Sequence, residues 1–84
     1  MYDLFLEARA ERDLKRLDAS LLTRILGAVR ALAVNPRPPG ARKLRGSTND
    51  WRIRVGDYRV IYEIVDWARQ VRVMIIRHRG EAYR

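Results

Sequence analysis

One stretch decides the fold of this chain: Trp51-Arg52-Ile53-Arg54-Val55-Gly56-Asp57-Tyr58-Arg59-Val60-Ile61-Tyr62. Its first five residues alternate between apolar side chains and arginines, and a period of two is typical of a half-buried β-strand. Gly56 then stands at the first central position of a two-residue turn, which favours a tight hairpin. The stretch therefore predicts two antiparallel strands joined at Gly56 and Asp57.

This hairpin should carry arginines on one face. With a two-residue turn, Arg54 lies opposite Arg59, and Arg52 shares their face because residues two apart point the same way. Directly opposed like charges destabilise a sheet by up to about 1 kcal/mol, which favours a bound anion on this arginine face. Arginine can hold two phosphate oxygens in its planar fork, so phosphate is expected. The alternative is a solvated face whose arginines extend into water or pair with Glu63.

Upstream of the hairpin, the chain predicts one strand and two helices. Residues 2–6 are mostly apolar and indicate a first strand, and residues 8–17 indicate a short helix. A second helix is expected to begin at Ser20, a typical N-cap residue, and to end before Asn35-Pro36. It carries one apolar stripe at residues 22, 25, 26, 29, 32 and 33.

The remaining segments complete an α+β domain. Residues 36–50 contain prolines and glycines and predict a basic loop, whereas residues 58–65 continue the hairpin. A turn over residues 66–70 and a last strand over residues 71–76 follow. We therefore expect a single domain, residues 1–84, with an N-terminal strand, a helical hairpin and a three-stranded antiparallel meander. The helices should cover one sheet face and leave the other for function.

Charge points to a nucleic-acid partner. The formal net charge is +8 in 84 residues. Residues 1–40 hold seven basic and five acidic side chains, whereas residues 41–84 hold eleven and five. The C-terminal part is thus expected to face an anion, with RNA favoured over DNA.

Composition also excludes several classes of protein. The chain has no cysteine and one histidine, so neither a disulfide framework nor a metal-ligand set is expected, and no cofactor is predicted. No apolar run approaches the ~20 residues that span a bilayer, and the first residues lack a signal-peptide pattern. We expect a cytoplasmic protein without a membrane partner.

Four motifs together resemble a known superfamily. They are Lys43-Leu44-Arg45-Gly46, the hairpin stretch, His78-Arg79 and Tyr83-Arg84, and their combination is similar to the RelE/ParE toxins of toxin-antitoxin systems. The resemblance covers nearly the whole chain. RelE-like members are metal-independent ribonucleases that cut messenger RNA in the ribosomal A site by 2′-hydroxyl attack. ParE-like members poison DNA gyrase instead.

The resemblance implies roles for residues of the sheet and the C-terminus. The His-Arg, acidic, Tyr-Arg ending is more similar to RelE, which implies catalytic roles for Arg59, Arg79 and Tyr83. Arg77 is the alternative to Arg79, and Tyr83 could stack on a base or accept the 2′-hydroxyl proton. RNA or phosphate contacts are expected from Arg52, Arg54, Arg45, Arg77 and Lys43. Two of these, Arg52 and Arg54, stand where well-known RelE toxins have lysines.

Partners and alternatives follow from the same resemblance. A cognate antitoxin, with an acidic toxin-binding segment, is expected on the helical hairpin and edge strands, together with the ribosome, mRNA and, through the antitoxin, operator DNA. The alternative functions are gyrase inhibition and a non-toxic relative that only binds its antitoxin. His78 is open between a general acid or base and a strand-end residue hydrogen-bonded to backbone. Trp51 and Trp67 are interpreted as structural.

Overall fold

The computed structural model describes residues 1–80 of the chain; residues 81–84 lie outside the described part. In chain order, the elements are β1 (Asp3–Leu6), α1 (Ala8–Lys15), α2 (Ala19–Ala31), β2 (Arg42–Lys43), β3 (Asp50–Val55), β4 (Tyr58–Val65), a 3₁₀ turn (Asp66–Ala68) and β5 (Gln70–His78). This order confirms the predicted strand, helical hairpin and meander.

The strands form one mixed five-stranded sheet in the order β1-β5-β4-β3-β2. The strands β3, β4 and β5 are the predicted antiparallel meander, and β1 adds to its edge parallel to β5. Strand β2 was not predicted: it lies inside the expected loop over residues 36–50 and pairs antiparallel with β3. A strand of two residues is too short to show a period of two, so it cannot be predicted from alternation of side chains.

The hairpin register is the predicted one. Val55 pairs with Tyr58, and Arg54 pairs with Arg59. Gly56 has a φ of +59°, and the next residue does not share this left-handed conformation. A positive φ at the first central position alone is typical of a type II′ turn, which glycine forms without strain.

The core lies between one sheet face and the two helices. Both helices are amphipathic, and each turns its apolar stripe toward the sheet. Tyr62 is the largest fully buried side chain; its hydroxyl donates to the Pro36 carbonyl at 2.7 Å, and burial raises its pKa to about 12. The buried apolar residues of the sheet are Ile53, Val60, Tyr62, Ile64, Val71, Val73 and Ile76.

Three helix boundaries differ from the prediction. The N-cap of α2 is Asp18, not Ser20, and its carboxylate accepts a hydrogen bond from the Leu21 N–H at 2.9 Å. Both residue types are good N-caps, so local chemistry could not choose between them. Helix α1 ends at Lys15 instead of residue 17, and α2 ends at Ala31, after which the chain makes tighter turns.

Strand β5 contains a β-bulge. Ile61 pairs with Ile75, but Tyr62 pairs with Val73, so Met74 is an extra residue without a partner on β4. The Asp13 carboxylate of α1 accepts a hydrogen bond from the Ile76 N–H at 3.0 Å, directly after the irregularity. Strand β1 pairs with β5 only as far as Val73, and helix α1, which follows β1, thus supplies the acceptor for a backbone donor of β5 beyond that pairing.

Removal of this carboxylate should destabilise the fold. Asp13→Ala leaves the partly buried Ile76 N–H without its acceptor, which should lower the free energy of unfolding by about 1–3 kcal/mol. Urea unfolding would measure the loss. Asp13→Asn is the matched control, because its amide oxygen can still accept the hydrogen bond. An alanine variant as stable as the asparagine variant would contradict the role of Asp13.

A polar cluster lies at the end of the sheet opposite the hairpin turn between β3 and β4. Asp66 accepts two hydrogen bonds from Arg37, at 2.8 and 3.2 Å, and one from the Tyr2 hydroxyl at 2.7 Å. The Arg37 hydrogen bonds, followed by that of Tyr2, lower the pKa of Asp66 from 3.8 to about 2. The cluster joins the N-terminus, the segment after α2 and the turn between β4 and β5.

Strong acid should abolish the contribution of Asp66. A carboxylate whose pKa is depressed by folding stabilises the protein above its unfolded-state pKa, and this contribution disappears as the pH falls through the folded-state pKa. We expect Asp66→Asn to have a lower urea midpoint than the wild type at about pH 5 and the two midpoints to converge at about pH 2. A difference between them that does not change with pH would contradict this assignment.

Candidate nucleic-acid interface

The free face of the sheet carries three arginines in one row. Arg54 of β3 pairs with Arg59 of β4, which in turn pairs with Arg77 of β5. Directly opposed residues share a face and have Cβ atoms about 4.5–5.5 Å apart. We call Arg54, Arg59 and Arg77 the arginine row. The sequence predicted its first two members, and the bulge in β5 adds the third.

The bulge is what turns Arg77 toward this face. Val71 and Val73 of β5 are buried in the core, so strict alternation would send residues 75 and 77 to the core as well. Instead Ile76 is buried, and Ile75 and Arg77 lie opposite Ile61 and Arg59 on the free face. The extra residue reverses the alternation and thereby completes the arginine row.

Strand β2 extends the basic surface to the edge of the sheet. Arg42 pairs with Arg52, so both belong to the arginine face. Arg42 was not expected on this face because strand β2 was not predicted. Lys43 pairs with Trp51 and therefore lies on the other face, while Arg45 follows β2 in an exposed turn. The structure thus does not bring Lys43 together with the arginine row.

A shallow depression lies beside the row at the hairpin turn. Arg79 follows β5, and its N–H donates to the Asp57 carbonyl at 2.7 Å, which joins the C-terminal segment to the turn. The depression is lined by Arg54, Gly56, Asp57, Tyr58, Arg59 and Arg79. Arg77 therefore neighbours Arg59 within the row, and Arg79 neighbours Arg59 in the depression beside the row.

Helix α2 supplies another arginine at the turn. A Cβ atom at Gly56 would stand 3.3 Å from a guanidinium nitrogen of Arg24, so this side chain lies against the turn backbone. Nothing in the local sequence indicates this contact, because it joins α2 to a turn about thirty residues later. Substitution of Gly56 would be strained, since its φ is positive, and would also crowd Arg24.

The acidic residues of the face lie away from the row. Glu63 pairs across the sheet with Asp50 and Arg72, two positions further along β4 than Ile61. Its carboxylate lies 3.8 Å from the Arg72 Nε atom. Glu63 thus neighbours Arg72 at the far part of the sheet, which argues against the alternative that it neutralises the row.

His78, Trp51 and Trp67 do not line this depression. His78 pairs with Tyr58 at the end of β5, and its Nδ1 accepts a hydrogen bond from the Gly80 N–H at 3.2 Å. Trp51 packs against the core with Arg37 over its ring, and Trp67 is 90% exposed in the 3₁₀ turn. Tyr83 falls outside the described residues.

Residues 1–80 contain neither a metal-ligand cluster nor a membrane-spanning helix. No group of three histidine, cysteine, aspartate or glutamate side chains there could hold a metal ion. No helix in that range is long and apolar enough to cross a membrane. What the arrangement offers is a set of fixed guanidinium groups, which can bind a phosphate and stabilise negative charge that develops on it.

A layer of two helices on a mixed sheet, with arginines across the free face, makes this chain a small basic α+β protein. Residues 4–83 match the family model described as ParE toxin of type II toxin-antitoxin system, parDE. The chain belongs to this family and is the toxin of a type II toxin-antitoxin system. It is also similar to RelE1, a candidate toxin of Methanocaldococcus jannaschii. The two chains are 33% identical over 79 residues, and this alignment covers 90% of this chain and 84% of that protein.

Solved structures with this fold include RelE toxins. The archaeal RelE–RelB complex from Pyrococcus horikoshii matches with a TM-score of 0.84 and 26% identity over 94% of this chain and 96% of that one. The RelBE2 toxin–antitoxin complex of Mycobacterium tuberculosis matches with a TM-score of 0.81 and 26% identity, over 93% and 98%. The comparisons confirm the predicted RelE/ParE superfamily and its α+β fold.

The like-charged row should lower stability. Arg54→Gln removes one of two directly opposed charges and should raise the free energy of unfolding by up to about 1 kcal/mol at low ionic strength. At about 1 M salt the Debye length is about 3 Å, so the gain should largely vanish. Urea unfolding at the two salt concentrations measures both effects. Arg45→Gln, in an exposed turn, is the control; an equal gain there would contradict repulsion within the row.

Proposed function

We propose that this toxin is a metal-independent, ribosome-dependent endoribonuclease that cuts mRNA and thereby stops translation. The arginine row with Arg79 at its end carries the proposal, because four guanidinium groups at one end of a sheet face suit an RNA phosphate. The RelE names of its relatives support the same activity. This function would place the protein in the cytoplasm.

The reaction is transesterification within the RNA. The ribose O2′ loses its proton and attacks the adjacent phosphorus, and the bond from phosphorus to O5′ breaks as O5′ gains a proton. The products are a 2′,3′-cyclic phosphate and a free 5′-hydroxyl. Negative charge grows on the phosphoryl oxygens in the transition state, where fixed positive groups lower the barrier. We assign this stabilisation to Arg59 and to Arg77 or Arg79, with Arg52 and Arg54 holding neighbouring phosphates.

Proton transfer needs another group. Arginine stays protonated at working pH and is a poor proton carrier. Tyr83 is the proposed candidate, either as the acceptor of the 2′-hydroxyl proton or as a stacking partner for a base. The ribosome would hold the RNA in line for attack, and such positioning can compensate for weak acid–base groups.

The proposed partner in the resting state is an antitoxin. The P. horikoshii and M. tuberculosis relatives were solved in toxin–antitoxin complexes, the first with RelB. The net charge of +8 predicts an acidic binding segment, because complementary charge speeds association and selects the partner. The edge strands β1 and β2 each offer an open edge to an added strand. Operator DNA would be reached through the antitoxin.

Gyrase inhibition is the second candidate, favoured by the ParE name of the matching family model. A gyrase inhibitor acts by binding and needs no arrangement for phosphoryl transfer. A third alternative, a relative that binds its antitoxin but is not toxic, would leave both translation and DNA supercoiling unaffected.

Primer extension on a reporter message in a bacterial translation extract tests the proposal. We expect the wild type to cut within ribosome-occupied codons, and Arg59→Ala to slow cleavage on the order of 10²-fold, the usual cost of one transition-state donor. Comparison of Arg77→Ala with Arg79→Ala identifies which arginine contacts the scissile phosphate, and Tyr83→Phe tests the hydroxyl. Arg12→Ala, an exposed arginine of α1, is the charge-matched control and should cut normally.

Two outcomes would redirect the assignment. If the message stays intact while gyrase supercoiling stops in the presence of the chain, the toxin belongs with the gyrase inhibitors. If Arg12→Ala slows cleavage as much as Arg59→Ala, the effect is one of total charge, and the arginine row has no specific role.

A further inference from the structure

The path of the chain as it leaves β5 is fixed by His78. Its Nδ1 atom accepts a hydrogen bond from the N–H of Gly80, two residues later, at 3.2 Å. Its ring meets the Tyr58 ring edge-on, with centroids 5.3 Å apart and planes at 88°. Between the two bonded residues stands Arg79, whose own N–H donates to the Asp57 carbonyl at 2.7 Å.

His78 and Arg79 occupy different surfaces. His78 lines a small hollow on the helical side of the sheet, together with Asp13, Arg16, Leu17, Tyr58 and Ile76. Arg79 lines the depression beside Arg54 and Arg59. The imidazole is therefore separated by the sheet edge from the arginines that the proposed reaction uses.

We propose that His78 is a positioning residue for Arg79. Its ring is held by Tyr58, and its Nδ1 lone pair holds the Gly80 N–H, so the backbone on both sides of Arg79 is fixed. This constraint, with the Asp57 hydrogen bond, directs Arg79 toward the depression. The role rests on the proposed function, because in that reaction Arg79 must be held in a fixed direction to bind the scissile phosphate.

The geometry distinguishes this role from proton transfer. The lone pair of Nδ1 is taken up by the hydrogen bond from the Gly80 N–H. A general acid or base needs a nitrogen within reach of the reacting oxygens, whereas Nδ1 is engaged by Gly80 and the ring packs on Tyr58. His78 therefore acts through the backbone that follows it.

Two substitutions separate the possibilities. In His78→Asn, the amide oxygen can accept the same hydrogen bond from the residue two positions on, as in an Asx turn. In His78→Phe, the ring can keep its contact with Tyr58, but there is no acceptor. We expect His78→Asn to cleave within about 3-fold of the wild type and His78→Phe to lose on the order of 10- to 100-fold in kcat, the range expected for a misplaced group.

Opposite results would overturn the proposal. Loss of activity in both variants to the same extent would mean that the imidazole itself transfers a proton. Normal activity of His78→Phe would mean that the hydrogen bond to Gly80 does not position Arg79. Urea unfolding of each variant, compared with the wild type, establishes that the fold is intact in the assay.

A second readout does not depend on cleavage. Hydrogen exchange of the Gly80 and Arg79 amides should speed up in His78→Phe and stay slow in His78→Asn. Titration with inorganic phosphate should shift the Arg79 Nε–H signal less in His78→Phe than in the wild type. If the wild type cuts no message but these shifts are as expected, the nuclease proposal fails and the positioning role stands. Equal exchange and equal shifts in the two variants would refute the positioning role.

Discussion

The β-bulge at Met74 is the constraint on which the arrangement of both sheet faces depends, because it reverses which side chains of β5 point inward. Just beyond it, where β1 no longer pairs with β5, the Ile76 N–H donates a hydrogen bond to the Asp13 carboxylate. Before the bulge, Val71 and Val73 fill the core; after it, Ile76 does. One extra residue thus lets a single strand contribute to the core along its whole length and still present Arg77 to the other face.

The arginine row opposes folding and serves binding. The directly opposed arginines of β3, β4 and β5 repel one another, whereas the apolar core on the other sheet face stabilises the fold. An anion that binds to the row removes this repulsion. The anion therefore binds more tightly than its direct contacts alone would allow, and the bound protein is more stable than the free protein. The basic residues come from both layers of the fold. Arg24 reaches the hairpin turn from the helical layer, and Arg42 lies at the sheet edge.

Sequence predicts the hairpin well because its register follows from local facts: a two-residue turn with Gly56 first and alternation from Trp51 onward. The same reasoning could not find the bulge, because β5 is apolar around Met74 and its periodicity is hidden. Contacts between segments far apart in the sequence also could not be predicted from local patterns. Arg42 depends on the pairing of β2 with β3, and Arg24 depends on where α2 crosses the turn. The hairpin pattern thus predicted Arg52, Arg54 and Arg59 on one face, and the family resemblance named Arg77 and Arg79, but nothing in the sequence indicated Arg24 or Arg42.

The parallel pairing of β1 with β5 joins the first strand of the sheet, in chain order, to the last one. Asp3 pairs with Gln70 and Leu6 with Val73, so β1 has no strand partner in the described sheet until β5 has been made. Contacts between residues so far apart in sequence form slowly, because a long loop must close first. A chain that has not yet reached β5 lacks both this pairing and the third arginine of the row. The architecture therefore delays the appearance of the complete arginine row until β5 has been synthesised.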